Sequence, residues 1–157
     1  MSWHSLEHHY EPKSSLREML RVLRPGGYGI VAVPSGDNVG LSLFGANWGP
    51  LEAPRHLYHF TERTLSRMCR DAGFEIVRFF YDFTFYGLFL DQEIFESLEN
   101  IAASNGFTLR FPRVPLFSSL FRIPVLPFNK VLGRIWRGGN LIIHVRKPRS
   151  DNPDQKS

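Results

Sequence analysis

His56 and His59, set in Pro54-Arg55-His56-Leu57-Tyr58-His59, are the residues of this chain best suited to take a proton from a reacting hydroxyl at neutral pH. A second group of donors, His4-Ser5-Leu6-Glu7-His8, lies near the start, where Glu7 and His8 read as hydrogen bonders that order a loop. Cys69 stands alone in a helical apolar stripe, so it reads as a buried structural thiol and not as a nucleophile. His9 reads as solvent-facing, and His144, inside an apolar run, as a packing or surface residue. No Walker loop, Cys-x-x-Cys pair, Gly-x-Ser-x-Gly elbow or His-Glu-x-x-His helix is present.

The elements that must position these groups follow from periodicity. Residues 1–6 look like the last residues of a strand, with Leu6 at its end. Pro12 suits the first turn of a helix, and Ser15 with Glu18 offers a capping-box start one turn later. Leu16, Met19, Leu20 and Leu23 then form one apolar stripe, and Pro25 ends the helix. Gly26 and Gly27 supply positive φ for the turn, and residues 28–33 run apolar without alternation, as a strand buried on both faces of a parallel sheet does. Residues 35–60, rich in Gly, Pro and aromatics, show no lasting periodicity and read as an ordered lid over a site. Thr61 caps a helix carrying Leu65, Met68, Cys69 and Ala72 on one face, Gly73 closes it, and residues 74–83 form a strand. An amphipathic helix with Leu90, Ile94, Phe95, Leu98, Ile101 and Ala102 follows. Residues 140–146 are the last strand.

Several short motifs fall in order on these elements: Glu7-His8, Leu23-Arg24-Pro25-Gly26-Gly27, Pro54-Arg55-His56-Leu57, Phe60-Thr61 and Ala72-Gly73-Phe74. Together they resemble the class I S-adenosylmethionine-dependent methyltransferases, closely over residues 1–86 and generally over 140–148, and most nearly the quinone-biosynthesis O-methyltransferase-like subgroup. The resemblance implies an α/β fold: the C-terminal half of a doubly wound Rossmann-like sheet of about four strands, the last antiparallel. It implies a partial methyltransferase domain over residues 1–148, with a lid-like insertion at 35–60, a helical, Phe-rich insertion at 87–139 and a disordered tail at 149–157. In such folds ligands sit beyond the carboxyl ends of the parallel strands. His4, Ser5, Leu6, Glu7 and His8 are therefore expected to line the pocket for S-adenosyl-L-methionine. Trp48, Arg55 and Tyr58 are expected to approach the methyl acceptor from the lid, with His56 or His59 as its base. Some quinone O-methyltransferases hold a divalent metal with Glu-x-x-Glu-His here. His4 replaces the first Glu, so no metal is expected, and His4, Glu7 and His8 would be its ligands if one were held.

The family's glycine-rich cofactor loop, Gly-x-Gly-x-Gly after a strand, does not occur in the sequence. The expectation is split accordingly: methyl transfer to a small, lipophilic acceptor such as a phenol is the family's activity, while this chain alone is a truncated, inactive form that binds the cofactor weakly. Met1 is expected to be an internal or late start within a longer protein. Residues 1–106 carry 9 basic and 13 acidic side chains, residues 107–157 carry 10 and 2. A basic, Phe-rich stretch at 107–137 supports the alternative of a noncatalytic remnant that binds a membrane surface or partner protein. Nucleic acid is not an expected partner, because the arginines are scattered among prolines and leucines. With no signal peptide and no spanning segment, the expected location is cytoplasmic, or peripheral at the membrane.

Overall fold

A computed structural model describes residues 1–52, 54–82, 90–111 and 139–149, the side chains of 50 and 90–94 excepted. Most of the stretch expected at a membrane, 112–137, and the tail from 150 onward lie outside the described residues. Four strands form one mixed sheet in the order β1-β2-β4-β3. They are β1 (Ser2–Trp3), β2 (Tyr28–Pro34), β3 (Glu75–Asp82) and β4 (Asn140–Arg146). β1 runs parallel to β2, and β4 lies antiparallel between β2 and β3, pairing Tyr28 with Arg146 and Pro34 with Asn140 on one side. The sheet is thus the expected one, with its last strand antiparallel.

Helices α1 (Pro12–Val22) and α3 (Glu62–Asp71) put their apolar stripes on the core. Leu16 and Leu65 are buried there with Val31, Val33, Ile143 and Val145. Each such side chain contributes about 1.5–3 kcal/mol by leaving water. Pro12 takes the first helical position of α1, so Ser15 lies inside the helix and is not its cap. In α3 the Thr61 hydroxyl accepts from the Thr64 N–H at 3.1 Å while the Thr64 hydroxyl accepts from the Thr61 N–H at 2.9 Å, a reciprocal cap.

Three local expectations are corrected. The first strand ends at Trp3: His4 has φ +44°, its N–H makes the last bond to the Ala32 carbonyl at 2.9 Å, and Leu6 sits in a 3-10 turn, Leu6–His8, with its side chain in the core. Of the two turn glycines only Gly26 has positive φ, +74°; Gly27 is needed for space, since a Cβ there would stand 2.7 Å from the Arg24 carbonyl oxygen. Residues 35–60, expected as an ordered loop without periodicity, contain short helices. They hold α2 (Val39–Phe44) and two 3-10 turns, Gly45–Asn47 and Gly49–Leu51, and their ends are pinned by a parallel bridge between Ser35 and Phe60. α4 (Leu90–Ser104) rests on those turns through the Gly49 N–H to Ser97 Oγ at 3.0 Å and Asn100 Nδ2 to the Asn47 carbonyl at 3.1 Å. Among its residues 95–104 the buried one is Ser97, whereas Phe95 and Leu98 of the expected apolar stripe are exposed. Among the described residues no helix is long and apolar enough to cross a membrane.

Cys69 lies in the core, and burial pushes its thiol up from 9.0 to about 12, against a small opposing effect of Arg70. Its thiolate fraction near neutral pH is then about a thousandfold below that of an ordinary cysteine. Alkylation by iodoacetamide, followed by intact mass, should be undetectable in the folded chain and complete in denaturant; rapid modification of the folded chain would show that the thiol is accessible.

Candidate functional site

The loop that follows β1 and the lid that follows β2 leave the same, carboxyl, end of the parallel pair, and they meet at Glu7. The Glu7 carbonyl accepts from Leu57 N–H at 2.9 Å and Tyr58 N–H at 3.3 Å, so the returning arm of the lid is bound directly to the 3-10 turn. His8 adds a third link, its Nδ1 3.0 Å from the Arg55 carbonyl oxygen. A carbonyl only accepts, so Nδ1 carries the proton and Nε2 is left as an acceptor.

Glu7 itself is wholly buried, and neither carboxylate oxygen closes a hydrogen bond of ordinary geometry. Its oxygen Oε1 lies 3.5 Å from His4 Nδ1 and 3.9 Å from His8 Nε2. Burial alone would raise this carboxyl, but the approach of His4, its own backbone N–H and the charges of His4 and His8 together hold it below the usual carboxylate value. His56 projects from the lid toward the same point. Its ring lies 4.9 Å from that of His8, its Nδ1 is buried without a hydrogen bond, and its Nε2 is 3.9 Å from the Glu52 carboxylate. One ligand atom each from Glu7, His8 and His56 lies within 4.8 Å of the others, and these three could hold a metal ion. The expected set of His4, Glu7 and His8 is thereby changed: the lid's His56 joins Glu7 and His8, and His4 is not among the three.

The remaining expected residues are placed as follows. His59 lies exposed beside His56, ring centres 6.2 Å apart, and partial burial, then the charge of His56, lowers its basicity. Tyr58 stacks on Phe60 and donates from its hydroxyl to the Tyr10 carbonyl at 3.2 Å. Arg55 is exposed and pairs with Glu52. Trp48 is buried inside the lid, stacked on Phe44 at 5.5 Å and seated over Gly40. Ser5 and His9 face each other across a separate groove, and His9 is half-buried there and hydrogen-bonded, not solvent-facing. Asn140 escaped the sequence reading. It starts β4 at the carboxyl end of β2, wholly buried, with neither amide atom hydrogen-bonded. A polar residue leading into an apolar strand was its one signal.

Residues 1–78 match the family model described as a methyltransferase domain. No curated protein matches the chain. Among solved structures, the [4+2]-cyclase SpnF is similar at 23% identity and a TM-score of 0.50, over 95% of this chain and 48% of that one. A chain of the complex between the Haloferax volcanii Trm112 methyltransferase activator and a protein described as a methyltransferase is similar at 15% identity and a TM-score of 0.50, over 94% of this chain and 53% of that one. These likenesses establish a shared fold, and the chain spans about half the length of the structures it matches.

Proposed function

We propose, from the premise that residues 1–78 carry the sequence of a methyltransferase domain, that this chain supplies the acceptor-side half of an S-adenosylmethionine-dependent methyl transfer. The observation that carries the reading is the junction at Glu7, where the loop after β1 and the lid after β2 are hydrogen-bonded together beyond the carboxyl ends of parallel strands. His4 and His8, on either side of the buried Leu6 and Glu7, would face the cofactor, and the lid, with Arg55, Tyr58, His56 and His59, would face the acceptor. Trp48, inside the lid, would shape that face from beneath. Methyl transfer requires an in-line approach of the nucleophile to the sulfonium methyl, which is what two converging loops provide. His56 or His59, adjacent on the lid, would serve as the base for a phenolic hydroxyl. A lipophilic phenol, as in the quinone O-methyltransferase-like subgroup, is the acceptor class that the aromatic lid favours.

Glu7, His8 and His56 suit a metal of the zinc class. The donor set is two imidazoles and one carboxylate, the carboxylate is wholly buried, and His8 turns its other ring nitrogen to a backbone carbonyl, as ligating histidines do. A metal there would supply Lewis acidity toward an acceptor oxygen. Glu7 and His8 would hold it from the loop, His56 from the lid.

Because the sequence holds no Gly-x-Gly-x-Gly, affinity for the cofactor should be low. A two-dimensional NMR titration with S-adenosylhomocysteine should move the amides of residues 4–8 and 55–59 in fast exchange, with a dissociation constant no tighter than about 1 mM. Shifts confined to other residues would overturn the site, and micromolar affinity would overturn the claim that half a cofactor pocket is missing.

A further inference from the structure

We infer that the outer face of α1 and α3 is a docking surface for an anionic lipid bilayer. Lys13, Arg17 and Arg21 recur at every fourth position of α1, with Arg24 just beyond its end, so they follow one another along one side of that helix. Arg63, Arg67 and Arg70 do the same on α3. All of these cations are exposed, because the apolar stripes of both helices are turned to the core. The helices lie side by side: Lys13 Nζ stands 3.6 Å from the Asp71 carboxylate, and the Leu20 side chain would meet a Cβ at Gly73 at 2.9 Å. The two rows thus form one patch.

Its charge is not balanced locally. Lys13 pairs with Asp71 and Arg21 with Glu18, whereas the guanidinium groups of Arg17, Arg24, Arg63, Arg67 and Arg70 have neither an ion pair nor a hydrogen bond among the described residues. Charge is also segregated along the chain. Residues 11–24 and 61–71 hold seven basic and four acidic side chains, while the rest of residues 1–106 holds two basic and nine acidic. An anionic surface turns a chain so divided, drawing the basic face inward and leaving the acidic remainder outward. The patch shares no residue with the basic stretch at 107–137.

Its make-up favours lipid among anionic partners. Neither helix carries an aromatic side chain that could stack on a base. On either side of Arg24 in the chain, Val22 and Tyr28 are each 65% exposed, and a headgroup layer accepts such side chains beside cations. Guanidinium groups bind lipid phosphates through paired, charge-assisted hydrogen bonds.

Sedimentation of the full chain with phosphatidylcholine–phosphatidylserine vesicles tests this. The chain should pellet with them, stay in solution with vesicles of phosphatidylcholine alone, and be released by added salt. Arg17→Gln, Arg67→Gln and Arg70→Gln combined should weaken the partition about a hundredfold, about fivefold for each arginine, at an unchanged melting temperature, while Arg78→Gln, on β3, should leave it as it was. On the unmodified chain, phenylglyoxal modification read by peptide mass mapping should show that the vesicles protect Arg17, Arg24, Arg63, Arg67 and Arg70 and not Arg78. No partition, a partition that survives the triple substitution, protection confined to residues after 107, or tighter binding of duplex RNA with the same protection at the same salt would overturn the proposal. The protection pattern decides the matter even where the triple variant fails to fold.

Discussion

Zinc at a hundredfold excess over its dissociation constant should raise the stability of the chain by about 2.7 kcal/mol, seen as an upward shift of about 5–10 °C in melting temperature for a domain of this size. The physical ground is the placement of Glu7, a wholly buried carboxylate with ring nitrogens of His4 and His8 at 3.5 and 3.9 Å. A divalent cation shared with His8 and His56 would bind the folded chain, where the three ligand atoms converge, and not the unfolded one. His56→Ala and Glu7→Gln should each remove the zinc-dependent shift, whereas His4→Ala should keep it, because His4 is outside the ligand set. A shift that survives in His56→Ala, or one that disappears in His4→Ala alone, would return the site to the loop and take the lid out of it. Calorimetric melts with and without zinc, each against a chelator control, separate these outcomes.

Gly40→Ala should cost about 1–3 kcal/mol, the usual range for forcing an atom into a filled interior. A Cβ at Gly40 would stand 2.3 Å from Cη2 of Trp48, with two further ring carbons at 2.4 and 2.6 Å. The indole is rigid and wedged against Phe44, so it cannot fold aside as a flexible chain end would. Alanine improves the helical preference of α2 by up to about 1 kcal/mol, which offsets part of the strain. With Trp48 displaced, the 3-10 turns under α4 lose their floor. Urea unfolding should report the loss of stability, and tryptophan emission should shift to longer wavelength in Gly40→Ala but not when Trp48→Phe is also present. An unshifted midpoint and spectrum would show that the lid repacks without cost.

Much of this architecture could be read from local chemistry. The strand at Asn140–Arg146 is found where its apolar run lies, Thr61 caps α3, and Pro12 opens α1, because each signal acts within a few residues of itself. α2 was missed since six residues carry too little periodicity; its one mark was Asn38, whose side chain accepts from Leu41 N–H at 2.7 Å. Leu6 was misplaced because nothing in a histidine codon announces the left-handed backbone of His4 that ends the strand. The candidate metal group was legible in part. Glu7 and His8 are neighbours and drew notice together, but His56 reaches them only through the path of the lid and the bonds from Leu57 and Tyr58 to the Glu7 carbonyl.

The placement of β4 bears on how the chain is made. It is the last of the four strands to leave the ribosome and occupies the middle of the sheet, hydrogen-bonded to β2 on one side and β3 on the other. Until residue 146 emerges, β2 and β3 have no neighbour in common, and a nascent chain presents two strand edges to solvent or to a chaperone. Folding then waits for translation to finish with this sheet, and a ribosome stalled before Asn140 would hold helices without a core to close them.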